Sequence, residues 1–316
     1  LMEQYRSAIT QCGFDGIHMD TYGEPKKARN VRGELRCLEQ EFAPLIKDTG
    51  AFLRKSGITA PHLIFNNVGT WPVEKTRDVP QDAVYMELWA PMDRYRHLRQ
   101  AAQKSGNHPC VLAAYPAPFR TDTPERALYS ELFLSFAIAL LGATQLFLGE
   151  NNAVVTQGYY ADYSPLNSEQ QNWVKRYQDF FVRYEELLYN SSMRDVTWTH
   201  CGGDNMEYRF EFPFSADGEA GKIWLMLREN ERCKLIGFVN LCGNDDDHWN
   251  TGKEAPVEQR NLTVHVLADS SCGVWFASPD IENGRSLPLA FQNRSTNLGN
   301  EITFVIPKLI SCGIVW

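Results

Sequence analysis

The chain has 316 residues, 43% of them hydrophobic and 22% charged, with a formal net charge of -8 at pH 7. This is the composition of a protein with a buried core, in one large domain or two of ordinary size. The negative charge excludes partners chosen for their own negative charge, such as nucleic acid or an anionic membrane, and no apolar run reaches the roughly 18 to 20 residues of a membrane span.

From the N-terminus, "LMEQYRSAITQCG" (1–13) has the pattern of a helix, and "DGIHMD" (15–20) that of a short strand ending on an acid. Further strands are predicted at "HLIFNN" (62–67), "VYMELW" (84–89), "CVLAAYP" (110–116) and "TQLFLGE" (144–150). Helices are predicted near 33–56, 93–105, 125–141 and 168–189. Strands alternating with helices are the signature of βα units around a parallel sheet. Each strand ends in polar or aromatic residues, and in (β/α)8 TIM barrels the chemistry sits at the carboxyl ends of the strands. Five units are too few to close such a barrel. The expectation is therefore a barrel present from about its third helix onward over residues 1–192, with strands one to three upstream.

After residue 193 the pattern becomes all-β. "MEYRFEFPF", "KIWLMLRE", "CKLIGFVNL", "NLTVHVL", "GVWFAS", "LPLAFQ" and "EITFVIPKL" alternate or are β-branched, with Gly, Asn and Asp between them. This predicts an antiparallel sandwich of Greek-key type over residues 193–316. The eight cysteines form no CxxC pair and no zinc-spaced cluster with His, so no metal or cofactor is expected and the compartment stays open. There is no phosphate-binding loop with its Lys and no GxSxG elbow.

"GFDGIHMD" carries two carboxylates five residues apart, roughly 16 Å along an extended strand. They cannot share a site. Asp15, at the plain end of the strand, reads as a turn or cap residue. Asp20 stands at the carboxyl end, and "VYMELWAP" repeats the design with Glu87. If these are barrel strands four and six, both acids lie on one rim, and two carboxylates facing a cleft are the minimum apparatus for splitting a glycosidic bond. Glu87, between Tyr85, Leu88 and Trp89, is in the more apolar stretch and suits the proton carrier. Asp20, beside His18, Thr21 and Tyr22, has more hydrogen-bond donors nearby and suits the nucleophile.

"GFDGIHMDTYG", "VYMELW", "LGENNAVVTQGYYADYS" and "GFVNLCGNDDDHWN" together resemble glycoside hydrolase family 66, the endo-dextranases and cycloisomaltooligosaccharide glucanotransferases. The resemblance implies a retaining double displacement on α-1,6-linked glucan, with the strand-four Asp as nucleophile and the strand-six Glu as acid/base. These roles fall on Asp20 and Glu87. The expected substrate is therefore dextran or an isomaltooligosaccharide, and the expected location extracellular or at the cell surface, with a signal peptide upstream of residue 1. Hydrolysis of internal links is the leading reading. Its alternatives are intramolecular transfer to cyclic products, an α-galactosidase-like specificity, and a glucan-binding protein without catalysis.

Substrate contacts are expected from His18, two residues before Asp20 on the same strand face, and from Tyr22. One of Asn66 and Asn67 should face the cleft, and Asn67 is assigned to it. Trp71 and Trp89 are candidate stacking platforms, with core packing as the plainer alternative. Tyr115 closes strand seven between small residues. Glu150, Asn151 and Tyr160 sit at and after the end of strand eight. "GNDDDHWN" (243–250) lacks the acid spacing of a calcium loop and reads as a solvated turn.

Overall fold

The strand that leads to Asp20, β1 (Gly16–Met19), follows helix α1 (Met2–Cys12) and starts a parallel sheet. In the computed structural model, which describes residues 1–21, 23–157, 164–268 and 273–316, the chain divides into two compact units. The first contains Leu1–Asp93, His97–Ala114 and Ala143–Leu146; the second contains Arg94–Arg96, Tyr115–Gly142 and Phe147–Trp316.

In the first unit, β1 is followed by a two-stranded hairpin, β2 (Lys27–Arg29) and β3 (Leu35–Cys37), and then by helix α2 (Phe42–Lys55). The helix predicted near 33–56 thus begins at Phe42. Its expected start is taken by a turn in which Asn30 Oδ1 accepts from the N–H groups of Arg32 and Glu34, an Asx arrangement that competes with helix. Next come β4 (His62–Val68), the single turn α3 (Val73–Thr76), β5 (Ala83–Glu87), α4 (Tyr95–Lys104) and β6 (Cys110–Ala113), and the sheet ends with β7 (Thr144–Gln145). The spatial order is β1-β4-β5-β6-β7, every pair parallel. This sheet is open: the described strands do not close into a barrel. Of the strand predicted over 144–150, Thr144 and Gln145 join the parallel sheet, while Phe147, Leu148 and Gly149 bond instead to Ala153–Val155, with Leu148 and Val154 as an antiparallel bridge. On one face Met19, Leu63 and Phe65 pack with Ile46 and Leu53 of α2 and with Val79, the amphipathic burial that fixes the register.

In the second unit, the one-turn α5 (Pro118–Thr121) precedes α6 (Pro124–Leu140), which is buried nearly all round and capped by Thr123. A short ribbon, β8 (Ala153–Val154) and β9 (Ser164–Pro165), leads to α7 (Ser168–Arg183), whose start is closed by a reciprocal capping box between Asn167 and Gln170. The turn α8 (Glu185–Leu188) ends the helical part.

The remaining chain forms two sheets. One is ordered β10 (Arg194–Asp195), β13 (Ile223–Glu229), β14 (Lys234–Asn240), β20 (Cys312–Val315), β16 (Trp275–Ala277), β17 (Leu287–Pro288), with β12 (Phe214–Ser215) parallel to β13. The other is β11 (Tyr208–Phe210), β15 (Gln259–Leu267), β19 (Gly299–Leu309), β18 (Phe291–Thr296). Leu225, Leu227, Phe238, Val264, Phe276, Phe304 and Ile306 from both sheets share one buried cluster, so the two sheets form a sandwich.

Arg228 of β13 is 8% exposed and donates to the carbonyls of Leu140, Leu188 and Asn190, where α6 and α8 end. Gly142, at φ 75, leaves room for it: a Cβ there would lie 2.9 Å from the guanidinium. In the 243–250 loop, Asp246 accepts from the fully buried ammonium of Lys253 at 2.5 Å and from the N–H of His248. Seven cysteines are free thiols; Cys272 lies outside the described residues. Among the described residues no helix is long and apolar enough to cross a membrane.

Candidate active site

Side chains alternate across a strand, and in-register parallel neighbours share a face. The pairings His18 with Ile64, Asn66 with Tyr85 and Glu87 with Ala113 therefore put His18, Asn66, Tyr85 and Glu87 on one face. Asp20 follows with the parity of His18. The opposite face carries Met19, Phe65 and the other residues packed on α2. The chain leaves β1 through Gly23, at φ 77, where a Cβ would lie 2.4 Å from Val68 Cγ1, so the turn after Asp20 requires glycine.

The two acids meet at Asn66. Its Nδ2 donates to Asp20 Oδ1 at 2.9 Å and to Glu87 Oε2 at 3.0 Å. With one nitrogen at 2.9 and 3.0 Å from these two oxygens, they are at most about 5.9 Å apart. A separation of roughly 5–5.5 Å between carboxyls suits attack on an anomeric carbon, whereas inverting enzymes leave about 6.5–9.5 Å for a water. Charge fixes the amide's orientation, since its oxygen turned this way would face two carboxylates. Glu87 is 5% exposed while Asp20 is exposed, so the pair is solvated unequally. Asp20 Oδ1 also accepts from the Thr21 N–H at 2.8 Å.

His18 packs edge-on against Tyr85, with ring centroids 4.7 Å apart. Desolvation pushes its pKa below the usual 6.5, while the nearby Asp20 and Glu87 carboxylates pull it up. The net shift is downward, which leaves a neutral imidazole at pH 7.

Of the two asparagines, the one at the carboxylates is Asn66. Asn67 points to the other side of the sheet, is fully buried, donates to the carbonyls of Phe65 and Tyr85, and accepts from Thr76 Oγ1 at 2.6 Å. Trp71 is half-buried; its Nε1 donates to Glu39 and its ring meets Phe42 edge-on, which ties it to the helix side. The turn before it holds Thr70 at φ 67, a strained conformation for a β-branched residue. Trp89, two residues beyond Glu87, is half-buried. Tyr115 is buried in the second unit, where Glu150 and Asn151 stand exposed on a 3-10 turn with Asn151 at φ 56. Tyr22 and Tyr160 lie outside the described residues. Asn66 and Tyr85 are the site-face residues without a firm assignment from sequence; strand alternation counted back from Glu87 marks Tyr85.

The model of glycosyl hydrolase family 66 matches residues 1–312. The chain belongs to this family. Two relatives, both cycloisomaltooligosaccharide glucanotransferases of Niallia circulans, are 28% and 21% identical to it, each over 97% of this chain and over 45% and 46% of the relative. The chain thus spans about half the length of the curated relatives it matches. A crystal structure of a Paenibacillus sp. cycloisomaltooligosaccharide glucanotransferase complexed with cycloisomaltoheptaose superposes with a TM-score of 0.87 at 18% identity, covering 99% of this chain and 64% of that one. That likeness shows a shared fold over 99% of this chain.

Proposed function

We propose that this chain carries the catalytic carboxyls of a retaining family 66 enzyme that cleaves internal α-1,6-glucosidic links of a dextran-type glucan. Asp20 bonds to the anomeric carbon as the glycosidic C–O bond breaks, and Glu87 gives its proton to the departing oxygen. Glu87 then takes a proton from water, whose oxygen bonds to the same carbon as the Asp20 ester opens. Two inversions restore the starting configuration. The observation that carries this reading is the single amide nitrogen held within 3.0 Å of both carboxyls. Burial gives Glu87 the environment of a proton carrier, and exposure leaves Asp20 open to substrate.

The open parallel sheet belongs, in this proposal, to a (β/α)8 barrel, and the likeness to the solved glucanotransferase supports that architecture. A polymeric substrate also suits an extracellular location. A glucan-binding protein without catalysis would have no use for two carboxyls on one amide.

A second reading replaces the water by a hydroxyl at the other end of the same glucan, which closes a ring. The names of both curated relatives favour it. Chromatography of products from dextran separates the readings, since linear isomaltooligosaccharides indicate hydrolysis and cyclic ones transfer. Asp20→Asn and Glu87→Gln in the full-length enzyme test the shared chemistry. Each should lower kcat on the order of 10^4-fold with the fold intact, and near-normal turnover by either folded variant would refute its role.

A further inference from the structure

Asn66 and Asn67 are neighbours with opposite hydrogen-bond economies. Asn67 fills its acceptor and both donor positions within the sheet. Asn66 is 4% exposed, gives one hydrogen to each of two carboxyls, and leaves its own Oδ1 buried with no partner among the described residues. An unmet buried acceptor lowers stability, so this placement is poorly explained as scaffolding.

The donors are also unevenly distributed. Asp20 Oδ1 accepts from both the Thr21 N–H and Asn66 Nδ2, and Glu87 Oε2 accepts from Asn66, while Asp20 Oδ2 and Glu87 Oε1 accept from nothing among the described residues. We propose that Asn66 is a positioning residue that sorts the oxygens of the two catalytic carboxyls, leaving Asp20 Oδ2 as the attacking atom and Glu87 Oε1 as the atom that bears the proton.

The inference rests on the functional reading above and follows from what an amide N–H can do. It only donates, so the Glu87 oxygen facing it cannot also point a proton at it, and the proton resides on Oε1. Asp20 Oδ1, with two donors, is the less nucleophilic oxygen and becomes the carbonyl of the glucosyl ester. When the ester opens, the charge returning to the carboxyl meets two N–H groups already in place. One side chain thereby prepares both half-reactions.

The test uses Asn66→Ala and Asn66→Leu in the full-length enzyme, assayed on dextran beside Asp20→Asn and Glu87→Gln. Folded Asn66→Ala should lose roughly 10^2-fold in kcat, in line with removal of one catalytic hydrogen-bond donor, with KM changed less than about three-fold. Because ionised Asp20 loses a donor, the acid limb of kcat/KM should move to higher pH, which a mere spacer would not cause. Asn66→Leu has nearly the same shape without the N–H groups and adds no charge, and should move the limb the same way, so it serves if the alanine variant does not fold. Wild-type kcat and an unmoved limb in either folded variant, with the two carboxyl variants inactive, overturn the role of Asn66 alone. Turnover by the carboxyl variants overturns the functional reading and this inference with it.

Discussion

The carboxyl ends of β1, β4 and β5 and the loops of the antiparallel sandwich both gather charged and amide groups, but they use them differently. In the sandwich unit such groups are consumed. Asp280 accepts from the N–H of Ser311 and Cys312 and from Tyr177 Oη, and Lys253 is enclosed by Asp246 and Thr251. At the ends of the parallel strands one oxygen of Asp20, one oxygen of Glu87 and the acceptor of Asn66 are left over among the described residues. Polar groups that close on one another stabilise a fold, whereas groups with valence to spare are available for chemistry. The comparison separates two kinds of sensitivity, one to activity and one to stability.

Substitution should expose that division, most strongly at the carboxyls. Asp20→Asn or Glu87→Gln is expected to remove on the order of 10^4-fold of kcat while moving the urea midpoint little, and a large drop in midpoint would mean the pair is structural after all. Asp280→Ala should do the reverse. It orphans two N–H groups and a phenol, so unfolding free energy should fall by about 3 kcal/mol in urea titrations, with kcat per folded molecule unchanged. Asn67→Ala, one residue from Asn66, should cost about 2 kcal/mol of stability and leave the pH profile of dextran cleavage in place. A profile that moves with Asn67 would erase the contrast between the neighbours. The smallest effect concerns His18, whose NMR titration midpoint should lie below 6.5. Asp20→Asn removes one of the two carboxylates that raise it, so the midpoint should fall further; an unchanged midpoint would show that the two groups are not coupled.

Much of this was readable from residue order. The parallel strands from β1 to β6, helices α4, α6 and α7 and the change to β structure near residue 193 follow from periodicities of 2 and 3.6. Asp20 and Glu87 stood out because each ends an apolar strand. The choice between Asn66 and Asn67 was less accessible. In "HLIFNN" both strand faces are apolar, so alternation alone does not say which face meets the helices; Leu63 and Phe65 packed on α2 decide it. The 27–37 hairpin was hidden by its polar, exposed strands, which carry no hydrophobic period. The shortness of β7 reflects the turn of residues 147–149 to pair with 153–155, a choice of partner absent from local sequence.

Arg228 gives the second unit a property that its change of pattern near residue 193 conceals. A strand of the sandwich reaches back to hold the last carbonyls of two helices with one desolvated cation, in a space kept free by Gly142. Severed there, the β module would retain an orphaned guanidinium and the helices would lose the cap on their negative ends. The sandwich is therefore not a cassette that could be appended to or stripped from its neighbour helices without leaving both with unmet polar groups.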